Sequence, residues 1–143
     1  MSIRQISVFV ENKKGSLVEI TDTLAKENID LRAMSIADTQ DFGILRLIVS
    51  DTDKALQVLR SKNCIVTETA VLGARLRNEP GALATVVRVL NEGDINVEYM
   101  YAFNGSTPHH AYVVLRVTDN EKVQELLLKE GIKCITQEQV SEI

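Results

Sequence analysis

Asn78-Glu79-Pro80-Gly81-Ala82-Leu83 lies between a run that alternates like a strand, Val71 to Arg77, and a run with helical spacing, Ala82 to Glu92. Sixty-six positions earlier the chain reads Asn12-Lys13-Lys14-Gly15-Ser16-Leu17 in the same setting. The Asn, the Gly and the Leu keep their spacing, so the chain is read first as an internal repeat.

The match extends outward from these loops. With a shift of 66, Val10, Ile20, Leu24, Ile29, Asp30 and Leu31 fall on Leu76, Val86, Leu90, Ile95, Asn96 and Val97. Further on the shift becomes 68, and Leu45, Leu47, Val49, Asp51 and Lys54 meet Val113, Leu115, Val117, Asp119 and Lys122. The two added residues fall in a segment containing Asn104-Gly105-Ser106-Thr107-Pro108, where turn chemistry tolerates insertion.

Periodicity gives both halves the same elements. Ile6, Val8 and Val10 alternate as in a strand, and Leu17, Ile20, Thr21 and Leu24 recur at helical spacing until Asn28. Extended runs follow at 29–38 and 43–50. Asp51 or Thr52 then caps a helix with Ala55, Val58 and Leu59 on one face, and a strand at 64–69 closes the half. The second half predicts a strand at 71–77, a helix at 82–92, strands at 95–103 and 110–118, a helix at 120–130 and a strand at 132–138. The expected fold class is α+β: two ferredoxin-like βαββαβ units in tandem, residues 1–70 and 71–143. Each is an antiparallel sheet with its helices on one face. No Gly/Pro/Ser-rich linker divides them, which predicts fixed mutual packing. Leu45, Leu47 and Val49 alternate with Ile44, Arg46 and Ile48, and Val113, Leu115 and Val117 with Tyr112, Val114 and Arg116; one set must face the helices, and the other is still largely apolar. This predicts that the helix-free faces are partly covered, by the sister unit or by a second chain, and hence a homodimer.

Asn-x-x-Gly-x-Leu at each first strand–helix junction, with βαββαβ twice, resembles a tandem pair of ACT domains, small regulatory modules that typically bind amino acids. The second half matches better, through Arg75 to Leu83 and Leu90 to Val97; in the first, Lys13-Lys14 replaces Glu79-Pro80. The resemblance implies a ligand held at an interface between modules, by the first loop of one and the second strand of another. Carried over, the loop positions are Asn12, Gly15, Ser16 and Leu17, and Asn78, Gly81, Ala82 and Leu83. The second-strand positions are Asp30 and Asn96. Serine-binding members carry a His two residues before the loop Asn; Val10 and Leu76 stand there, which argues against a serine sensor.

The loop chemistry suits an amino acid. The first N–H groups of a helix lack internal partners and favour an anion. Gly admits close approach, Asn offers both an acceptor and donors, and Asp30 could pair with an ammonium group. The alternative is geometric, with Gly serving the turn and Asn the helix start.

Composition narrows the remaining classes. The chain has 143 residues, 45% hydrophobic and 25% charged, with net charge −4. Residues 1–70 carry 9 basic and 10 acidic side chains and residues 71–143 carry 7 and 10, so neither half attracts nucleic acid or anionic membrane. Strands 43–50 and 110–118 offer only Tyr112 for stacking bases, against RNA recognition. No apolar run nears the ~20 residues of a membrane span, and the N-terminus has no signal pattern, so a cytoplasmic location is expected. Cys64 and Cys134 have no metal-ligand spacing and suggest buried free thiols. Lys13-Lys14-Gly15-Ser16 lacks the order of a phosphate loop, and adjacent His109 and His110 suit a hairpin end rather than a metal. No catalytic set, metal site or cofactor is expected. The expected function is a non-catalytic amino-acid sensor acting in trans on a partner such as an enzyme or regulator of amino-acid metabolism. The alternative is a constitutive interaction subunit with a degenerate ligand site.

Overall fold

A computed structural model describes residues 1–38 and 40–143. The elements are β1 (Ile3–Glu11), α1 (Ser16–Lys26), β2 (Leu31–Asp38), β3 (Phe42–Val49), α2 (Thr52–Ser61), β4 (Val66–Arg77), α3 (Ala82–Glu92), β5 (Tyr99–Ala102), β6 (His110–Arg116) and α4 (Asn120–Lys129), followed by a 3-10 turn, Glu138–Glu142. They form two compact units, one of Arg4–Thr69 and one of Ala70–Ile143 with Met1–Ile3.

In the Arg4–Thr69 unit the strand order is β2-β3-β1-β4. β1 and β2 both run antiparallel to β3, with Val8 opposite Leu45 and Met34 opposite Leu47. The period of two sends Ile6, Val8, Val10, Leu45, Leu47 and Val49 to one face. They pack there with Ile20 and Leu24 of α1 and Ala55, Leu56 and Leu59 of α2. Arg4 joins β1, α2 and β4: Nε donates to Glu68 at 2.6 Å and an Nη to Asp53 at 2.8 Å. Hydrogen bonds from this guanidinium hold both carboxyls below their ordinary range and raise Arg4. A depressed carboxyl pKa gives stability that is full above the ordinary range and lost as pH falls through the folded value. Arg4→Gln is therefore expected to lower the melting temperature at neutral pH and to make it fall less steeply below about pH 5, where the parent loses this contribution as acid reaches the depressed carboxyls. Melting curves taken through that range check it.

The second unit repeats the pattern. β4, β6 and β5 are neighbours in that order, and Cys134 bridges the other side of β4 at Ala74. Leu72, Ala74, Leu76, Val113 and Leu115 face Val86 and Leu90 of α3 and Val123 and Leu127 of α4. All four helices end alike. Asn28, Asn63, Asp94 and Gly131 take positive φ of 58°, 60°, 56° and 73°. The next N–H in each case reaches back to a buried leucine carbonyl: Ile29 to Leu24, Cys64 to Leu59, Ile95 to Leu90, Ile132 to Leu127. This is the Schellman arrangement, with its apolar contact across the helix end.

Three boundaries differ from expectation. The strands expected at 64–69 and 71–77 are one element, β4, because nothing between them breaks extended backbone. The strand expected at 95–103 begins only at Tyr99. The strand expected at 132–138 is reduced to one bridge. Arg75 N–H donates to Lys133 (2.9 Å) and Ile135 N–H to Gly73 (2.8 Å), and then the chain turns away. Thr136 N–H donates to Gln139 Oε1 (2.9 Å) and Gln139 N–H to Thr136 Oγ1 (3.3 Å). This reciprocal capping box starts a turn rather than extending a strand.

That turn bears on the helix-free face. Gly73 and Val114 lie opposite each other on it, and a Cβ at Gly73 would stand 2.5 Å from Ile135 Cγ1. Ile135 and Val140 are buried, and Gly105 lies against Ile143. The chain's own C-terminal segment thus covers part of the face for which a sister unit or second chain was expected. In the Arg4–Thr69 unit, Gln5, Ala33 and Ile48 on that face are buried, whereas Phe9 is 54% exposed. Gly73→Val is expected to displace Ile135 and cost about 1–3 kcal/mol through overpacking. Urea unfolding reads the loss, and faster proteolysis after Lys133 reads the released segment.

Candidate functional site

The two loops have one geometry despite their different sequences. Ala82 N–H donates to Glu79 C=O and Ser16 N–H to Lys13 C=O, both at 3.3 Å. Gly81 has φ 88°, ψ −12°, and Gly15 has φ 94°, ψ −17°. These are the angles of the third residue in a type II turn, the place glycine takes after Pro80 in one loop and Lys14 in the other. Lys13-Lys14 in place of Glu79-Pro80 therefore leaves the turn unchanged.

The glycines are also the N-caps of α1 and α3, and no side chain caps either helix. α2 and α4 differ. Asp51 accepts from Lys54 N–H at 3.0 Å, and Asp119 from Lys122 N–H at 3.1 Å. Each unit thus has one helix with an acidic cap and one whose start is left to solvent or to a ligand. A Cβ on Gly15 or Gly81 would meet nothing within 4 Å, so the space above both turns is open. Ser16 and Ala82 are half-buried behind the turns, and Leu17 and Leu83 stand 41% and 42% exposed beside them. Opposite charges flank both turns with their signs exchanged: Lys13 pairs with Glu11 at 2.9 Å, and Arg77 with Glu79 at 3.0 Å.

The asparagines serve the loops themselves. Asn78 donates its backbone N–H to His109 C=O (2.9 Å) and Nδ2 to Thr107 C=O (3.1 Å). Asn12 donates its N–H to Asp41 C=O (3.1 Å) and Nδ2 to Gln40 C=O (3.5 Å). Each ties its loop to the hairpin ahead of the third strand, which leaves the side-chain oxygen as the group to offer a ligand. His109 and His110 lie at that hairpin, as expected: Thr107 N–H donates to His110 C=O at 2.8 Å.

Asp30 and Asn96 are exposed and far from the loop of their own unit. Leu31 pairs with Val49 at one end of β2 and Asp38 with Gly43 at the other, next to the end of β1. Seven residues of strand separate those ends, roughly 23 Å. In the second unit Arg77 pairs with His110, whereas Tyr99, just after Asn96, pairs with Arg116 at the far end. The Asp30 carboxylate is also already engaged, by Arg32 at 2.6 Å. Within a unit, then, the structure brings Asn12, Gly15, Ser16 and Leu17 together, and likewise Asn78, Gly81, Ala82 and Leu83. It does not bring Asp30 or Asn96 to them.

Clefts adjoin both loops. One of about 120 Å³ is lined by Val10, Asn12, Ser16, Leu17, Ile36 and Gly43. On the other side of the same loop is one of about 350 Å³, with Phe9, Phe42, Lys62 and Ile65 in its walls. Its counterpart beside the second loop, about 270 Å³, is lined by Arg75, Arg77, Ala82, Thr85, Glu130 and Ile132. Beyond Asn12, Ser16, Leu17 and Ala82, sequence reasoning missed the lining residues because each cleft joins separate segments. The signal available was the repeat, which superposes Phe9 on Arg75 and Lys62 on Glu130. Cys64 and Cys134 are free and only half-buried, and partial burial pushes both thiols up.

Among the described residues no helix is long and apolar enough to cross a membrane, and no group of three or more His, Cys, Asp or Glu is placed to hold a metal. The protein family that matches is described as an ACT domain pair, over residues 1–143. No curated protein matches the chain. Among solved structures, protein BT0572 from Bacteroides thetaiotaomicron is 40% identical over 100% of this chain and 98% of its own, with a TM-score of 0.92. The ligand-free regulatory subunit of aspartate kinase from Thermus thermophilus is 12% identical, covering 88% and 91%, with a TM-score of 0.67. The corresponding subunit from Thermus flavus is 12% identical, covering 88% and 90%, with a TM-score of 0.61. These two show likeness of fold.

Proposed function

The chain belongs to the family of ACT domain pairs, and from that premise we propose that it is a non-catalytic sensor of a free amino acid. The observation that carries this reading is the contrast in capping. α2 and α4 satisfy their starts with Asp51 and Asp119, whereas α1 and α3 begin at bare glycine turns under open space. An amino-acid carboxylate fits those N–H groups, and Oδ1 of Asn12 or Asn78 fits the ammonium group.

A helix start contributes only about 0.3–1 kcal/mol to an exposed anion, against the roughly 4–8 kcal/mol of millimolar to micromolar binding. The remainder must come from a second surface. Asp30 and Asn96 stand at the far end of their own sheets, so the facing strand belongs to another module. This reading makes the sensor a cytoplasmic homodimer of modules bounded near residue 70. Its output passes in trans to an enzyme or regulator of amino-acid metabolism, in the manner that the aspartate kinase regulatory subunits suggest. Ligand at the interface stabilises one packing of modules and shifts the population toward it.

A melting screen with each free amino acid at millimolar concentration tests the proposal. At least one is expected to raise Tm, and indifference to all of them sinks it. Exposed Leu17, Val18, Leu83 and Val87 on the first two turns of α1 and α3 favour a second reading, a constitutive docking surface. That reading predicts partner capture from lysate that is indifferent to amino acids and survives Gly81→Val.

A further inference from the structure

We propose that the Arg4–Thr69 unit carries a second small-molecule site, on the other side of the loop that leads into α1. It is the cleft of about 350 Å³ between β1, α1 and the turn after α2, suited to one α-amino acid with a large apolar side chain.

The second unit supplies an internal control. The fold makes a cleft at the equivalent place there, so the concavity alone means little. The lining is what differs. Phe9, Phe42 and Ile65 line the first cleft and are 54%, 55% and 67% exposed. The repeat places Arg75, His110 and Lys133 at those positions. The fold therefore accepts polar side chains there, and the first unit instead gathers three exposed apolar ones around one concavity. Scattered exposed apolar residues need no explanation, but a cluster rimmed by charge does.

Charge narrows the ligand. Lys62 and Glu19 both line the cleft, and neither forms an ion pair with the other or with any described residue, whereas Lys13 and Glu11 are paired to each other. One free cation and one free anion beside an apolar wall complement a zwitterion with an apolar tail. The half-buried Ser16, at the uncapped start of α1, adds a hydroxyl to the same wall. The volume lies at the lower end of the roughly 300–1,000 Å³ of ligand pockets, which suits one small molecule rather than a peptide or a large cofactor.

Calorimetry on the whole chain tests this with leucine and phenylalanine, and with two leucine analogues that each lack one charge, 4-methylpentanoate and 3-methylbutylamine. One of the amino acids is expected to bind, and each analogue to bind leucine's site at least about tenfold more weakly, the loss of a charged hydrogen bond. Phe9→Arg and Ile65→Lys change exposed residues to those at the equivalent positions of the second unit. Each is expected to weaken binding by at least about tenfold while leaving the melting curve of the ligand-free chain in place. Absence of binding by both amino acids up to about 10 mM overturns the site, as does binding by either analogue equal to leucine's. Binding that survives Phe9→Arg and Ile65→Lys but is lost on Leu83→Lys belongs to the loop interface. That result overturns the cleft while leaving the sensor reading intact.

Discussion

Gly81→Val is expected to lose both stability and response to ligand. The residue holds φ 88°, a region that costs an L-residue about 1–2 kcal/mol and a β-branched one more. Apart from its chain neighbours, nothing lies within 4 Å of the added Cβ, so the penalty is backbone strain rather than collision. The turn can relax only by moving the start of α3, where Ala82 and Leu83 belong to the proposed site. A ligand at one hundred times its Kd stabilises the native state by about 2.7 kcal/mol, and that increment should vanish with the site. In saturating ligand the variant should therefore trail the parent by at least about 4 kcal/mol in urea unfolding, and by at least about 1–2 kcal/mol without ligand. Gly81→Asn separates the two effects, since asparagine visits this conformation at small cost. It should keep most of the stability and, by crowding the approach to the backbone, lose part of the response. Full response in the valine variant would place the ligand elsewhere.

Leu24→Ala and Leu90→Ala are expected to cost about 2–5 kcal/mol each, the range for truncating a buried leucine. The two occupy the same repeat position, each 1% exposed in the core of its own unit. Each carbonyl also accepts the N–H that closes its helix, from Ile29 at 3.0 Å and from Ile95 at 2.8 Å. The truncation therefore removes the apolar contact across the helix end together with the core packing. Chemical denaturation measures both variants; a loss below about 1 kcal/mol in either would mean that its helix is not anchored as described.

Much of this architecture is legible in the sequence because the repeat supplies two independent readings of each element. Positions that agree across the shift, such as Leu24 with Leu90 and Leu47 with Leu115, are the ones that face the cores. The loop glycines were legible too, since a strand, a tight turn and a helix in succession leave glycine few other roles. The asparagines were half legible. Their side chains are good ligand groups, but sequence does not reveal that Nδ2 is already given to a hairpin carbonyl about thirty residues away in the chain. Asp30 was half legible in the same way, its carboxylate being held by Arg32 two residues on. The C-terminal error was avoidable. Ile132 to Ile135 is apolar enough for a strand, but Thr136-Gln137-Glu138-Gln139 carries the capping-box spacing that turns the chain into a cover for the sheet. The clefts were not legible, because their walls meet only once three segments are folded together.

In the proposed sensor an amino acid binds at the glycine turn before α3. Amide chemical shifts of the isotope-labelled chain, followed as each free amino acid is added, test it most directly. The prediction is that one ligand moves the amides of Gly81, Ala82 and Leu83 in a saturable way, together with that of Asp30 or Asn96 from the facing strand. If no amino acid at saturating concentration moves the amides of Gly81 to Leu83, or of their twins Gly15 to Leu17, the claim is contradicted.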